Sequence, residues 1–332
     1  MKQLFTILII TFILSSCAKK QEYIAYDGFI QGTTFHIVFQ ASENAVKQSD
    51  IDSIFAFINS TFSTYDSTSM ISKINRNETQ DVNQLFVNMF NKSFEVYKKS
   101  NGAFDITVGQ VVNAWGFGNT DTMKVDSSQI DSLMKFVGFE KVKLENSKIL
   151  KSDKNIELDF NAIAQGYTCD VIADFFDSKN LENYLIEVGG EIRGKGVNDK
   201  NEFWKIGIDK PTDNSTAENR ELQEIVILKN KSIATSGNYR KFYEKDGMRI
   251  SHTINPKTGF PANQNLLSAS VIANTCAEAD AYATAFMVLG LEKSLEMLKQ
   301  NADLEAYLIH SDKNGKLVIT KTKGFEKLIF KE

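Results

Sequence analysis

A carboxylate and a hydroxyl stand four residues apart at Asp280 and Thr284, in a segment whose pattern predicts a helix over residues 276–289. Side chains with this spacing share one face of a helix. Their oxygens are ligands suited to Mg²⁺, which usually keeps waters and bridges to a substrate phosphate. The residues alone leave an alternative open, in which Asp280 is solvated and Thr284 bonds back to its own helix.

Turns rich in Gly and small residues lie where predicted strands meet predicted helices. Residues 159–167 pass from a strand into a helix, and a helix N-terminus suits an anion such as a phosphate. Residues 102–105 open a segment that ends at residues 115–118, and the glycines within residues 188–191 would let a ligand approach the backbone. Residues 252–259 combine an imidazole with two hydroxyls. Taken singly, a segment of this kind is more often a turn with no role in function.

The composition is that of an ordinary globular protein. The chain has 332 residues, of which 42% are hydrophobic and 24% charged, a balance that excludes a disordered chain. The formal net charge of −4 leaves no basic excess to neutralise phosphates, so we expect no nucleic-acid partner. With only 3 Cys, a disulfide scaffold is excluded. Cys169 and Cys276 are predicted to be separate thiols.

The N-terminus has the pattern of a lipoprotein signal. Lys2 precedes an apolar stretch over residues 4–14, which is too short to cross a bilayer core of about 30 Å. Leu-Ser-Ser then precedes Cys17 as in a bacterial lipobox. We therefore predict a signal peptide over residues 1–16, lipidation of Cys17 and a tether over residues 17–23. The alternative is an ordinary signal peptide that happens to contain a Cys.

Helix and strand patterns alternate along residues 24–330, which we predict to form one α+β domain. Helical spacing of apolar residues predicts helices over residues 51–62, 85–94, 130–137, 162–176, 276–289 and 291–298. Alternating or β-branched runs predict strands over residues 34–39, 142–144, 156–160, 184–188, 204–208, 224–228, 268–273 and 306–310. Asp-Gly at 246–247 and Asn-Gly at 314–315 predict hairpins. The combination indicates largely antiparallel sheet layers flanked by helices.

Taken in order, these motifs resemble the ApbE family of FAD:protein FMN transferases. The resemblance extends over residues 24–325 and implies an α+β fold with the ligand site in a cleft. Its matching segments are residues 32–35, 62–75, 102–105, 159–170, 188–190, 204–208, 234–237 and 252–259, with residues 279–281 and Thr284.

The resemblance implies a reaction. Such enzymes bind FAD with Mg²⁺ and transfer the FMN half to a Thr hydroxyl of a partner protein, so that AMP leaves. By similarity, Mg²⁺ would be bound by the Asp280 carboxylate, the Thr284 hydroxyl and the Ala162 carbonyl. Contacts to FAD would come from Gln31, Tyr65, Ala103, Phe104, Asp105, Asp159, Gln165 and Ile254.

The attacking Thr also needs a general base within hydrogen-bond reach. His252 is the first candidate and Asp280 the second. By resemblance, the acceptors would be subunits of membrane redox complexes, and the enzyme would be a periplasm-facing lipoprotein of the cell envelope. The membrane partner would be reached through the lipid anchor on Cys17.

Two positions depart from the family pattern. Gln31 stands where the family has Met in Met-Gly-Thr, and Gln165 stands where it has Lys in Ala-Lys-Gly-Tyr. Gln can donate hydrogen bonds but cannot offset phosphate charge. Two rival functions are a Mg²⁺-dependent FAD pyrophosphatase, which the aromatic Tyr65 disfavours, and a non-catalytic flavin-binding lipoprotein, which the Asp280 and Thr284 pair disfavours.

Overall fold

The computed structural model describes residues 21–42, 44–118, 126–211, 221–238, 242–245, 248–262 and 264–331. The predicted signal peptide, Cys17 and residues 18–20 of the predicted tether lie outside this part of the chain. The helices described are α1 (Gln48–Phe62), α2 (Met70–Asn75), α3 (Gln84–Lys99), α4 (Gly109–Ala114), α5 (Ser127–Met134), α6 (Ala164–Ser178), α7 (Cys276–Leu289), α8 (Leu291–Gln300) and α9 (Lys323–Glu326). The strands described are β1 (Gln21–Ile30), β2 (Thr33–Ser42), β3 (Val142–Glu145), β4 (Lys148–Lys151), β5 (Tyr184–Val188), β6 (Glu191–Lys195), β7 (Trp204–Asp209), β8 (Leu222–Leu228), β9 (Ser232–Gly237), β10 (Phe242–Lys245), β11 (Met248–Ser251), β12 (Leu266–Ala273), β13 (Glu305–Ser311) and β14 (Leu317–Lys321).

One large sheet organises these elements. It has 8 strands in the order β1-β2-β5-β6-β9-β12-β13-β14, and every neighbouring pair in it is antiparallel. Three separate antiparallel pairs, β3-β4, β7-β8 and β10-β11, accompany it. The predicted α+β class with a largely antiparallel sheet and flanking helices is therefore confirmed.

Helices α6 and α7 cover this sheet and lie against each other. Helix α6 packs on β5 and β6, while α7 packs on β9 and β12. Alanines alternate along α7, and those at 277, 279, 281, 283 and 285 are all buried. Small side chains on several faces let neighbouring backbones approach. This packing fixes α7 within the core.

The helix and hairpin predictions agree well with the structure. Helix α7 has the predicted bounds, and the Asn-Gly pair at 314–315 lies between the paired strands β13 and β14. Strands β10 and β11 also pair as expected, although the Asp246-Gly247 turn itself lies outside the described residues. Across the described ranges, we find no helix with the length and hydropathy needed to span a membrane.

The predicted strand over residues 156–160 is wrong, because a side chain takes the place of a neighbouring strand. The Asn75 amide donates to the Leu158 carbonyl at 2.9 Å, and its oxygen accepts the Leu158 N–H at 2.8 Å. The next amide, of Asp159, donates to the Ile106 carbonyl at 2.7 Å. The segment is extended but forms no ladder.

Strand β1 corrects the predicted tether. Residues 21–23 belong to this strand, which pairs with β2 along its full length. It begins with the polar residues Gln21 and Glu22, and all of its residues are exposed or half-buried because β1 is the outermost strand. An edge strand with one covered face does not need the apolar content that marked the inner strands.

Candidate functional site

Helices α6 and α7 cross at Gly166, where only glycine fits. A Cβ placed there would lie 2.4 Å from the Cys276 carbonyl oxygen and 2.8 Å from the Asp280 Cβ. Both distances are far below the optimal separation of about 3.5–4.0 Å between carbon atoms. The close approach brings α7 to the first turn of α6. It therefore places Asp280 at the end of the 159–167 segment.

Asp280 is a buried carboxylate on α7 that accepts a hydrogen bond from the N-terminal turn of α6. Its side chain is 6% exposed, and its Oδ2 accepts the Gly166 N–H at 3.1 Å. Gly166 is the third residue of α6, so its amide has no partner in its own helix. Burial raises the pKa of Asp280 to about 7, with the Gly166 bond opposing and the Asp170 charge adding to that shift. The alternative of a solvated Asp280 is excluded.

The Asp280 face of α7 gathers oxygen atoms. Thr284, one turn further on, has its hydroxyl 3.3 Å from the Ser236 hydroxyl of β9. Ala162 lies partly exposed in the turn directly before α6, close in sequence to Gly166. A carboxylate, hydroxyls and a backbone carbonyl form a donor set suited to Mg²⁺. The residues present therefore fit that ion.

This donor set differs from a site made of side-chain ligands alone. Across the described ranges, no group of three or more His, Cys, Asp or Glu residues is placed to hold a metal. Mg²⁺ is commonly bound through one or two carboxylates together with oxygens of a substrate phosphate. A single protein carboxylate at Asp280 is consistent with that mode.

A side chain of α6, that of Asp170, accepts hydrogen bonds from the N-terminus of α7. Asp170 is also 6% exposed, and its two oxygens accept the N–H groups of Cys276 and Ala277 at 2.8 and 2.9 Å. Arg193 places its Nη1 3.7 Å from Asp170 Oδ1. Burial raises the pKa of Asp170, while the two amides and Arg193 oppose that shift.

Gln31 reaches the same helix from the β1–β2 turn. Its Nε2 donates to the Thr168 hydroxyl at 2.9 Å, and that hydroxyl gives its own proton to the Ala164 carbonyl at 2.7 Å. This assignment leaves Gln31 Oε1 buried, with no hydrogen-bond partner among the described residues. A donor on a bound ligand would satisfy this oxygen.

Gln165, at the second position of α6, reaches the turn between β5 and β6. A Cβ placed on Gly189, in the β5–β6 turn, would lie 2.8 Å from Gln165 Nε2 and 2.9 Å from Thr33 Cγ2. The β1–β2 turn, the β5–β6 turn and the start of α6 thus meet. Gln31 and Asp280 each bond to the first two turns of α6, which Gln165 also belongs to.

A second group of predicted residues lies on the loop after α3. Ala103 and Phe104 are buried there. Asp105 uses Oδ1 to accept the Thr107 amide and hydroxyl at 2.8 and 2.6 Å, and Oδ2 to accept the Phe139 amide at 3.0 Å. The Asp105 carboxylate therefore holds the loop, and a ligand would meet backbone atoms of this segment.

A cavity of about 340 Å³ lies between this loop and the segment over residues 252–259. The second of these segments is held by Trp115 at the end of α4, whose Nε1 donates to the Gly259 carbonyl at 2.8 Å. The cavity lining includes Gly102, Asp105, Gly138, Pro256 and Lys257. Two segments singled out from sequence are thus brought to one opening.

His252 and Ile254 lie next to this region. Ile254 is buried in a cluster with Val111, Trp115 and Ile130. The His252 ring is partly exposed, and its centroid is 6.3 Å from that of Phe117 in an edge-on arrangement. The role of His252 as a general base stays a prediction.

Asp159 lines a smaller cavity of about 150 Å³, and Tyr65 is next in the chain to a second lining residue. Thr64, beside Tyr65 in the chain, lines it together with Arg76 and Asp159. Tyr65 is 68% exposed, so its ring is free to stack on a ligand. Asp159 Oδ1 accepts the Asn161 N–H at 2.7 Å. The Asp159 amide bonded to Ile106 links this cavity to the loop after α3.

Several groups that the fold adds to the site lie in segments singled out from sequence, but no sequence pattern assigns them an individual role. Gly166 contributes only a backbone N–H, which no side-chain pattern marks. Ser236 lies on β9 beside Thr284, although 48 residues separate them in sequence. Asp170 is separated from Cys276 by 106 residues. The prediction of separate thiols is confirmed, because Cys169 and Cys276 are both buried and free.

Fold and site together define an α+β protein with a cluster of oxygen donors near the crossing of two helices. The chain belongs to the ApbE family, whose model matches residues 31–308. It is 34% identical over 331 residues to the FAD:protein FMN transferase of Haemophilus influenzae, covering 95% of this chain and 94% of that protein. The flavin transferase ApbE from Vibrio cholerae has a similar structure, with a TM-score of 0.83 and 30% identity over 93% of this chain and all of that one. The apo form of the flavinyl transferase ApbE from Pseudomonas stutzeri matches with a TM-score of 0.82 and 27% identity, covering 93% and 97% of the two chains.

Proposed function

We propose that this protein transfers the FMN half of FAD to a Thr hydroxyl of an acceptor protein and releases AMP. It is an enzyme of the flavin transferase class, as the relatives named FAD:protein FMN transferase indicate. The observation that carries the proposal is the position of Asp280 and Thr284. Asp280 lies where α7 meets the N-terminal turn of α6, and Thr284 lies one turn further along α7 beside Ser236.

In this reaction the acceptor hydroxyl forms a bond to the phosphorus of the FMN half. The bond between that phosphorus and the bridging oxygen breaks, AMP leaves with the oxygen, and the hydroxyl proton passes to a base. His252 is the first candidate for this base and Asp280 the second. A Mg²⁺ ion held by Asp280, Thr284 and the Ala162 carbonyl would neutralise charge on the phosphate oxygens.

The remaining predicted residues would orient FAD. Gln31 and Gln165 present side-chain amides near the start of α6. Backbone atoms of Ala103, Phe104 and Asp105 would contact the ligand at the larger cavity, and Ile254 would contribute from the 252–259 segment. Tyr65 and Asp159 would contact it at the smaller one.

We further propose that the enzyme acts at the cell envelope. Lipidation of Cys17 would hold it on a membrane facing the periplasm, close to acceptor subunits of membrane redox complexes. The support for this location is the lipobox pattern before Cys17. Tethering would raise the effective concentration of enzyme near a membrane-bound acceptor.

The test incubates the protein with FAD, Mg²⁺ and an acceptor fragment that carries the target Thr, followed by mass spectrometry of protein and nucleotide. We expect the acceptor to gain the mass of FMN minus water, with one AMP released per transfer. Asp280→Asn should lower the rate by at least 100-fold, whereas Asp177→Asn on the outer part of α6 should not. AMP and free FMN formed without any acceptor adduct would instead identify a pyrophosphatase.

A further inference from the structure

We propose that Asp170 is a positioning residue, which sets the place of Asp280 and Thr284 through the N-terminus of α7. The inference rests on the proposed function, because it assigns those two residues to a metal site. It adds residues that the resemblance does not assign to that site. The link runs from α6 to α7 through Asp170 and back to α6 through Asp280.

The first half of the link is a bidentate contact. Asp170 accepts the first two amides of α7, from Cys276 and Ala277, at 2.8 and 2.9 Å. The next amides are satisfied locally, because Glu278 donates to the Thr275 hydroxyl and Ala279 to the Thr275 carbonyl. Helix α7 therefore has its own cap, and the Asp170 bonds add a connection to α6 that a cap alone would not provide.

The second half returns from α7 to α6. Asp280 lies four residues after Cys276, about 6 Å along the axis at a rise of about 1.5 Å per residue. Its Oδ2 accepts the Gly166 amide at 3.1 Å. A shift or tilt of the first turn of α7 would therefore move Asp280 relative to Gly166 and to the Ala162 carbonyl. Thr284, a further turn along, would move with it.

Basic residues hold the outer side of this junction. Arg193 lies 3.7 Å from Asp170 and also donates to the carbonyl of Asn274, just before α7. Lys231 donates to the Asn274 side chain. The buried Asp170 charge is thus paired as well as hydrogen-bonded, which such a charge requires. Arg193 fixes the same end of α7 that Asp170 binds.

Outer residues that orient metal ligands typically change metal affinity by about 10–100-fold when substituted. The test therefore compares Asp170→Asn with Asp177→Asn. Asp177 is on the same helix, but its carboxylate bonds to Tyr184 and Lys195 and not to α7. The probe is Mn²⁺, whose binding in the presence of FAD is measured by the loss of its free electron paramagnetic resonance signal. Measurements are made below the unfolding temperature of each variant.

We expect Asp170→Asn to raise the Mn²⁺ Kd at least about 10-fold and Asp177→Asn to leave it within about twofold. Arg193→Gln keeps both Asp170 bonds and should raise the Kd by a smaller factor, which provides a second variant if Asp170→Asn does not fold. An equal Mn²⁺ Kd for wild type, Asp170→Asn and Arg193→Gln overturns the proposal, even if their melting temperatures fall.

Hydrogen exchange without metal separates this inference from the proposed function. Peptides that contain Gly166 and Cys276 should both lose protection in Asp170→Asn, while peptides from α3 keep theirs. Loss at Cys276 with unchanged protection at Gly166 overturns the link between the two helices. If wild type binds no Mn²⁺ while exchange changes as expected, the positional link stands and the metal assignment in the proposed function is wrong.

Discussion

Asp170 and Asp280 each accept hydrogen bonds from the N-terminus of the helix that carries the other. Asp170, on α6, binds the first two amides of α7, and Asp280, on α7, binds the third amide of α6. Carboxylates are favoured at helix N-termini by the helix dipole. Both acids are buried, and burial together with the Asp170 charge raises the cost of charging Asp280. A cation beside Asp280 would relieve this cost.

This arrangement predicts that metal affinity depends on pH. Burial raises the pKa of Asp280 to about 7, and a proton competes with the metal for the carboxylate. The Mn²⁺ Kd should therefore rise by up to about tenfold per pH unit below pH 7 and level off above it. Direct titration between pH 5.5 and 8.5 measures this. A Kd that does not change across the range would contradict the role of Asp280.

The same shift predicts how metal-free protein responds to pH. An unfolded Asp has a pKa of about 3.9, so folded Asp280 holds its proton more tightly. Its contribution to the free energy of unfolding is fully present below about pH 4 and is lost as pH rises through 7. Urea unfolding of wild type and Asp280→Asn at pH 5 and 8 checks the sign. The variant should lose less stability than wild type between the two values.

Gly166→Ala tests the close crossing of the helices. The new methyl group would lie 2.4 Å from a backbone oxygen of Cys276, which cannot rotate away. We expect the free energy of unfolding to fall by about 1–3 kcal/mol or more, together with weaker metal binding, because the helices must separate. Gly207→Ala is the control, since its methyl would meet only the side chain of the exposed Leu222. Equal stability of the two variants would count against the crossing.

Local sequence patterns predict the elements that are stabilised mainly by residues within or next to their own segment. Helix α7 was predicted within its bounds because an alanine-rich run lies between Thr275 and Gly290, which cap and end it. The predicted strand over residues 156–160 failed because Asn75 supplies the hydrogen bonds of a missing strand partner. Edge strand β1 was missed because its exposed face permits polar residues.

Site geometry was less accessible from sequence than the list of site residues. The spacing of Asp280 and Thr284 predicted a shared face, but not the burial that raises the Asp280 pKa. That burial comes from α6, which is more than 100 residues away in the chain. The resemblance identified Asp105, but not that its carboxylate is used to hold its own loop. Such contacts depend on tertiary packing.

Gln165→Lys should strengthen FAD binding by restoring a positive charge at the start of α6. A charge-assisted hydrogen bond to phosphate is stronger than the neutral bond that Gln offers. We expect the FAD Kd to fall about 3–10-fold at low salt, and the gain to shrink as salt screens the charge. Fluorescence titration at two salt concentrations measures this, with Gln84→Lys at the start of α3 as control. The same effect in both variants would exclude a local role for residue 165.

Cys17→Ala tests the lipid anchor, which lies outside the described residues. The thiol is the atom that would carry the lipid, so the variant should lose incorporation of labelled palmitate and be released from membranes or mislocalised. Cys169→Ala should keep the label because that thiol is buried. Purified protein that lacks residues 1–20 should retain transferase activity. Labelled Cys17→Ala would refute the lipobox prediction.

Tyr65→Asn should shift the reaction from transfer to hydrolysis. Tyr65 is 68% exposed, next to a cavity that Thr64 and Asp159 line, so its ring is available to cover a bound flavin. An aromatic ring can stack on the isoalloxazine and exclude water from the phosphorus, whereas Asn leaves room for water. Wild type should release AMP slowly from FAD alone and at least about tenfold faster with acceptor. The variant should release AMP and free FMN without acceptor.

Tyr65→Phe provides the matched control, because it keeps the ring and removes only the hydroxyl. It should behave as wild type if stacking and water exclusion are the cause, since neither depends on the hydroxyl. The ratio of flavinylated acceptor to free FMN, measured by mass spectrometry and chromatography in the same reaction, gives the balance directly. An unchanged ratio in Tyr65→Asn, or a loss in Tyr65→Phe equal to that in Tyr65→Asn, would show that the ring does not protect the phosphorus from water.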